Sequence, residues 1–347
     1  MDRVLRVVVV DDSAYVRKVI REILSRSPFV EVVGTARDGR EALDLVEQLD
    51  PDVVTCDLIM PELDGVGFVR EQMQRRPVPI IIMSVAKETA EAALTALDAG
   101  AVDFVQKPTA LASEKIFEVS AELIEKVKAA GNIALHRIST APPLPSPVIS
   151  TPGISGSHSV DVVVLGISTG GPQALKRLIP QLPEDFPVPV VMVMHMPVGY
   201  TEMYAAKLNE QSQLEVKEAA EGDEVRAGHA FLAPAGRHLT FKRDASGKVV
   251  THLDAKPFDM LHRPSVDVMF KSAAEVYGNR VLGVVMTGMG SDGKEGAAWI
   301  KAQGGLVFTE AESSCVVYGM PSVVVEAGLS DKSIALDSMA RAIMEVV

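Results

Sequence analysis

The sequence predicts two α/β domains in tandem: a doubly wound, flavodoxin-like unit, then a second doubly wound and mostly parallel sheet with an antiparallel excursion. Three observations lead there. Short Val/Ile-rich runs alternate with helical patterns from Val4 to about Lys128, and again from Asp161 onward. The runs are apolar throughout, as parallel strands covered on both faces by crossover helices should be. Between the two series lies a stretch with five prolines, Pro142, Pro143, Pro145, Pro147 and Pro152, set among Ser, Thr and Gly without apolar periodicity. The expected boundaries are 1–128 for the first domain, 129–159 for a linker that is Pro/Ser-rich from 139, and 160–347 for the second domain. A flexible tract from 139 to 159 has a root-mean-square reach of roughly 25 Å.

In the first domain the strands fall at Val7 to Val10, Val30 to Gly34, Val53 to Cys56, Ile80 to Met83 and Phe104 to Gln106. In the second, Asp161 to Leu165, Pro189 to Met194, Val281 to Met286 and Leu306 to Thr309 read as parallel strands. From Ala230 to Leu253 the alternation breaks into Phe231-Leu232-Ala233, Leu239-Thr240-Phe241 and Val249-Val250, separated by short Gly-bearing turns, which predicts the antiparallel excursion.

Composition narrows the function. With 47% hydrophobic and 23% charged residues the chain is globular, and a formal net charge of -12 without a Lys/Arg cluster argues against a nucleic-acid partner. Met1 to Arg6 forms neither a signal peptide nor a membrane span, so a cytoplasmic address is expected. Cys56 and Cys315 lie too far apart for metal-ligand spacing and read as small core residues.

Ligands of open α/β sheets bind beyond the carboxyl ends of the strands. Asp11 and Asp12 follow the first strand, Asp57 the third, Ser84 the fourth and Lys107 the fifth, so all five belong to one rim. An Asp after a strand is ordinarily a turn residue or cap. Five polar groups on successive strand ends outweigh that reading. Gathered carboxylates call for a cation, and oxygen donors without imidazole or thiolate favour Mg²⁺. Such a site could bring a phosphoryl donor to Asp57, with Lys107 neutralising charge and Ser84 bonding an oxygen.

A second nucleophile setting lies in Gly166-Ile167-Ser168-Thr169-Gly170-Gly171, between a strand and a helical pattern. Glycines permit the sharp turn, and the amides of Thr169 to Gly171 could face a developing oxyanion. His195 ends the next apolar run, and consecutive parallel strands would bring it beside Ser168 as general base. Asp292, beyond the run Val281 to Met286, could orient the imidazole. Taken singly, each is as easily a cap or turn residue. The order Ser, His, Asp differs from the Ser, Asp, His order of α/β hydrolases, so the chemistry is hydrolase-like while the topology is not. Gly288, Gly290 and Gly293 also spell G-x-G-x-x-G, with Glu310 roughly where a ribose-binding acid would be sought, but this strand comes too late in its domain to open a dinucleotide fold.

The segments Val10-Asp11-Asp12-Ser13, Asp57 to Gly65, Met83-Ser84 and Gln106-Lys107-Pro108 resemble the receiver domain of two-component response regulators. That resemblance implies that Asp57 accepts phosphate from a histidine kinase. It implies too that Asp11, Asp12, Asp57 and the Ile59 carbonyl hold Mg²⁺, and that Phe104 is the aromatic switch residue. Lacking a hydroxyl, Phe104 would act through packing. Gly166 to Pro172, Met194 to Pro197, Ala233 to His238, His262 to Asp267, Met286 to Gly293 and Tyr318 to Pro321 resemble the catalytic domain of the chemotaxis protein-glutamate methylesterase/protein-glutamine glutaminase family. The resemblance implies a Ser168, His195 and Asp292 triad with the Met289 amide as a further oxyanion donor. It implies no cofactor for the ester chemistry and, as substrates, methylated cytoplasmic helices of chemoreceptors, the enzyme being peripheral to the receptors' membrane rather than inserted. It also implies that the unphosphorylated receiver blocks the catalytic face. The roles of His238, His262 and Arg263 stay open. The competing expectation is a non-enzymatic signalling adaptor whose second domain binds a partner or nucleotide.

Overall fold

The computed structural model describes residues 3–85, 89–107, 113–133 and 160–347, and of 113–119 the backbone alone. The proline-rich tract from 139 to 159 and Pro108 lie outside the described residues. Two compact units divide the chain, 1–141 and 142–347.

The first unit runs β1 (Leu5–Val10), α1 (Ala14–Leu24), β2 (Val30–Ala36), α2 (Gly39–Leu49), β3 (Val53–Asp57), α3 (Gly65–Arg75), β4 (Ile80–Ser84), α4 (Ala90–Asp98), β5 (Asp103–Gln106) and α5 (Ser113–Ala130). Its strands pair in the order β2-β1-β3-β4-β5, all parallel. Val7 to Val10, Val53, Val54 and Ile80 to Met83 are buried, as strands covered on both faces require. Ser13, Asp38 and Asp64 start helices by accepting the amides of Val16, Glu41 and Gly67. Strand order reverses between β1 and β3, which opens a crevice at their carboxyl ends.

The second unit runs β6 (Val162–Ile167), α6 (Gly171–Leu178), β7 (Val190–Met194), α7 (Thr201–Asn209), β8 (Glu215–Glu218), β9 (His229–Leu232), β10 (His238–Arg243) and β11 (Val249–Asp254). It continues with α8 (Val266–Tyr277), β12 (Val281–Val285), α9 (Lys294–Ala302), β13 (Leu306–Glu310), α10 (Met320–Glu326), β14 (Lys332–Ile334) and α11 (Leu336–Met344). Seven strands pair in the order β14-β13-β12-β6-β7-β9-β8, again all parallel. The sheet grows outward one way from β6 through β7 and the other way through β12, so its switch point lies between β6 and β12.

The predicted excursion takes a different form. Phe231 and Leu232 belong to β9, a parallel strand of the main sheet, and only β10 and β11 form an antiparallel pair, which is a separate two-stranded sheet. Leu239 and Phe241 turn one face of this hairpin into the core beside Phe270 and Tyr277 of α8. The Phe241 amide donates to Ser272 Oγ at 2.9 Å, fixing the hairpin on that helix. Cys56 and Cys315 are buried, and neither forms a disulfide among the described residues. No helix among the described residues is long and apolar enough to cross a membrane.

Candidate catalytic and phosphoacceptor sites

At the β1/β3 crevice the carboxylates of Asp11, Asp12 and Asp57 each place an oxygen within 4.8 Å of the others. Asp11 and Asp57 are buried, whereas Asp12 is exposed. Lys107, carried on the end of β5, sets Nζ at 2.7 Å from Asp11 Oδ2 and 2.6 Å from Asp57 Oδ2. Burial pushes the Asp57 carboxyl up, and the Lys107 bond opposes that shift. Burial should lower the Lys107 ammonium, but its bonds to both carboxylates win and raise it. The Leu58 amide donates to Asp57 Oδ1 at 2.6 Å and leaves Oδ2 to the ammonium. Gly65 lets the following loop return close to Asp57: a Cβ there would stand 2.1 Å from the Asp57 carbonyl oxygen.

Ser84 is buried at the end of β4 and pairs its hydroxyl with that of Thr89, and its carbonyl accepts the Lys107 amide at 2.7 Å. The Phe104 ring is buried, while its carbonyl accepts Lys126 Nζ at 2.8 Å. Three carboxylates around one ammonium suit a hard divalent cation: the donors are all oxygen, and their charge exceeds that of the lysine.

In the second unit, Ile167 of β6 pairs with Met194 of β7, so Ser168 and His195 leave adjacent strands at the same level. The His195 amide donates to the Ile167 carbonyl, and the Ser168 amide to the Thr287 carbonyl beyond β12. Ser168 therefore sits between β7 and β12 at the switch point. Gly288 is needed for this approach, because a Cβ there would stand 2.7 Å from Ser168 Cβ. Thr169 is buried, and Gly170 caps α6 at φ 81°. Met289 directly follows Gly288 in the same loop.

His195 Nε2 lies 2.8 Å from Asp292 Oδ2. Asp292 takes further bonds from the Val266 amide (2.8 Å), the Asp267 amide (2.9 Å) and the Ser265 hydroxyl (2.9 Å), so the start of α8 cradles it. Burial alone would raise this carboxyl, yet the His195 bond and the amides hold it well below the usual carboxylate range. An ionised Asp292 makes His195 Nε2 the protonated nitrogen and leaves Nδ1 as acceptor. Among the described residues nothing donates to that buried Nδ1.

The residues left open by sequence find places here. The His262 ring stacks on His195 with centroids 4.0 Å apart and planes 19° from parallel. His238 is buried, accepts the Ser265 amide at Nδ1 (3.2 Å) and donates from Nε2 to the Pro257 carbonyl (3.0 Å). Burial lowers its pKa, consistent with a neutral ring. Arg263 lies over the Phe258 ring at 5.3 Å. The G-x-G-x-x-G loop is explained without a nucleotide. Gly288 admits Ser168, Gly293 adopts φ 100°, and Glu310 is buried with its carboxylate taken by the Thr287 amide and the Ser314 hydroxyl. Ser265, Asp267 and Thr287 also serve the site, and in the sequence only the segments His262 to Asp267 and Met286 to Gly293 point to them.

The CheB methylesterase family model matches residues 163–343, and the response regulator receiver domain model matches 7–118. A protein-glutamate methylesterase/protein-glutamine glutaminase of Myxococcus xanthus is 48% identical over 338 residues, covering 96% of each chain. Its namesake in Thermotoga maritima is 40% identical over 347 residues, 100% of this chain and 99% of that one. The crystal structure of the Thermotoga maritima CheB methylesterase catalytic domain superposes with a TM-score of 0.53 at 42% identity, covering 55% of this chain and all of that one.

Proposed function

The chain belongs to the CheB methylesterase family, with a receiver domain ahead of the esterase, and we propose that it is a phosphorylation-regulated serine hydrolase acting on chemoreceptors. It demethylates glutamate methyl esters and deamidates specific glutamines. The adaptor reading is set aside by this membership. Ser168 is the nucleophile, His195 the general base and Asp292 the orienting acid.

What supports the assignment is the imidazole itself, bonded to Asp292 through Nε2 with no donor to Nδ1 among the described residues, on a strand end adjacent to that of Ser168. Ser168 Oγ attacks the ester carbonyl and passes its proton to His195 Nδ1, and Asp292 stabilises the imidazolium. Amides of Thr169, Gly170 and Met289 face the oxyanion. The imidazolium returns the proton to the departing methoxide, methanol leaves, and water activated by the same nitrogen resolves the acyl-serine to glutamate. A glutamine follows the same path with ammonia as leaving group.

In the receiver, Asp57 takes a phosphoryl group from a histidine kinase in the cytoplasm. Asp11, Asp12, Asp57 and the Ile59 carbonyl would hold Mg²⁺, which would neutralise charge on the incoming phosphoryl oxygens. Lys107 and Ser84 bind the product, with Phe104 as the packing switch.

Methanol release from methylated receptor membranes, with and without a small phosphodonor, tests both halves. Wild type should release methanol faster with phosphodonor, Asp57→Ala should lose that stimulation, and Ser168→Ala should be inactive. Equal release by Ser168→Ala and wild type refutes the nucleophile assignment.

A further inference from the structure

Asp267 has no part in the chemistry above, yet its carboxylate is half-buried within the cradle that holds Asp292. Its Oδ1 accepts the Gly293 amide at 2.9 Å and the Gly296 amide at 2.7 Å. Its own amide donates to Asp292 Oδ1 at 2.9 Å. The two aspartates thus tie α8 and the 291–296 turn to each other in both directions: α8 grips the carboxylate of Asp292, and the carboxylate of Asp267 grips the backbone on which Asp292 is carried. Two glycines make this closeness possible. Gly293 adopts φ 100°, which L side chains rarely take, and a Cβ on Gly296 would stand 2.5 Å from Phe270 Cβ and 3.0 Å from Asp267 Cα.

We propose that Asp267 is a positioning residue for the hydrolysis, pinning through two backbone amides the turn that aims Asp292 at His195. The inference rests on the assignment of Asp292 as the acid that orients the general base. Asp292 Oδ1 is bonded to the Ser265 hydroxyl and the Asp267 amide, and Oδ2 to the Val266 amide and His195, so its aim follows the relative placement of α8 and the turn. Asp267 sets that placement from the other side. The titratable groups on the elements packed around it are Asp292, His195 behind Asp292, His238, which bonds the Ser265 amide, Lys271 one turn along α8, and Lys294 and Glu295 in the first turn of α9. Burial, with Asp292 adding to it, pushes the Asp267 carboxyl up to about 7. The amide bonds need only an acceptor oxygen, so an uncharged side chain with such an oxygen can replace the carboxylate.

Three variants separate positioning from folding. Asp267→Asn keeps an oxygen for both amides, Asp267→Ser shortens it out of reach of at least one, and Asp267→Ala removes it. Steady-state methanol release from methylated receptor membranes gives kcat and KM, and thermal melting gives the folded fraction. We expect Asp267→Asn to stay within about threefold of wild type. Asp267→Ala should lose on the order of 10²-fold in kcat with KM within about twofold, since a shift of about 1 Å in a remote support misplaces the base by a similar amount. If Asp267→Ala does not fold, Asp267→Ser carries the test with a loss of the same kind. Wild-type kcat in a folded Ala or Ser variant, or a loss in Asp267→Asn as deep as in those variants, overturns the proposal. Equal methanol release by Ser168→Ala and wild type would instead sink the underlying assignment, so the two failures are distinct.

Discussion

Gly288→Ala is the sharpest probe of the nucleophile turn. The position has no left-handed φ, so alanine is acceptable to the backbone and only space is at issue. The new Cβ would stand 2.5 Å from Met320 Sδ and 2.7 Å from Ser168 Cβ. Met320 can swing its thioether aside. Ser168 has no such freedom, because its amide bonds the Thr287 carbonyl at 2.9 Å and its carbonyl accepts the Gly171 amide at 2.7 Å. Carbon atoms pack at about 3.5 to 4.0 Å, so serine and loop must separate by roughly 1 Å. A displacement of that size costs on the order of 10²-fold in rate, equivalent to about 2.7 kcal/mol of transition-state stabilisation. Overpacking should also cost about 1 to 3 kcal/mol of stability. Gly222→Ala provides the contrast: at φ 81° with nothing within 4 Å, it should cost roughly 1 to 2 kcal/mol through backbone strain and leave kcat unchanged. The assay is methanol release at a temperature where melting shows all three proteins folded. A Gly288→Ala kcat within about threefold of wild type would refute the close approach of the loop to Ser168.

Two further outcomes follow from charge. Lys107→Ala leaves the buried Asp11 and Asp57 without their ammonium, a loss on the scale of 3 to about 5 kcal/mol for a broken buried pair, and millimolar Mg²⁺ should raise the melting temperature of this variant more than that of wild type. An equal Mg²⁺ shift in both proteins would count against a cation site there. Asp267, with its carboxyl pushed up to about 7, holds its proton more tightly folded than unfolded; that contribution is full below about pH 4 and is lost as pH rises through about 7. Asp267→Asn carries no such proton, so its melting temperature should gain on wild type from about pH 5 to about pH 8, and a constant difference would be inconsistent with the raised carboxyl. The depressed Asp292 acts in the opposite direction at lower pH, losing stability as pH falls, and is common to both proteins.

The central strands were legible because both faces are covered and every residue along them is apolar, as in Val162 to Leu165 and Val190 to Met194. Edge strands were not. β8 reads Glu-Val-Lys-Glu with only Val216 buried, and β14 reads Lys-Ser-Ile with none, so neither produces an apolar run. The Gly-bearing turns around Phe231 looked like hairpin connections, but β9 lies beside β7 in parallel, and its direction depends on a crossover that local turn chemistry does not encode. At the site, strand-end placement was readable from sequence: Ser168 and His195 follow paired residues, and Asp11, Asp57 and Lys107 converge. The support behind them was hidden by distance along the chain. Ser265 and Asp267 precede Asp292 by more than 20 residues, and a Ser-Val-Asp sequence at a helix start signals a cap for its own helix. Nothing in it signals that the cap also serves a carboxylate on another loop.

The two carboxylates at the centre of the two sites are treated in opposite ways, and the difference matches the roles proposed for them. Asp292 takes four hydrogen bonds, filling both oxygens, and is held ionised despite burial. An acid that only orients a histidine gains from being fixed and inert. Asp57 takes amide bonds on Oδ1 alone, shares a lysine with Asp11 through Oδ2, and is pushed up by burial. Repulsion among carboxylates about 4 Å apart is roughly 1 to 4 kcal/mol per pair, and one ammonium cannot cancel all of it. That residual charge is unfavourable for an idle structure and suits the proposed acceptor role, since it favours a divalent cation and leaves Oδ2 held by Lys107 and by no backbone amide. A four-donor cradle around Asp57 would stabilise the domain and disable it. A carboxylate as loosely held as Asp57 at position 292 would let the imidazole of His195 turn away from Ser168.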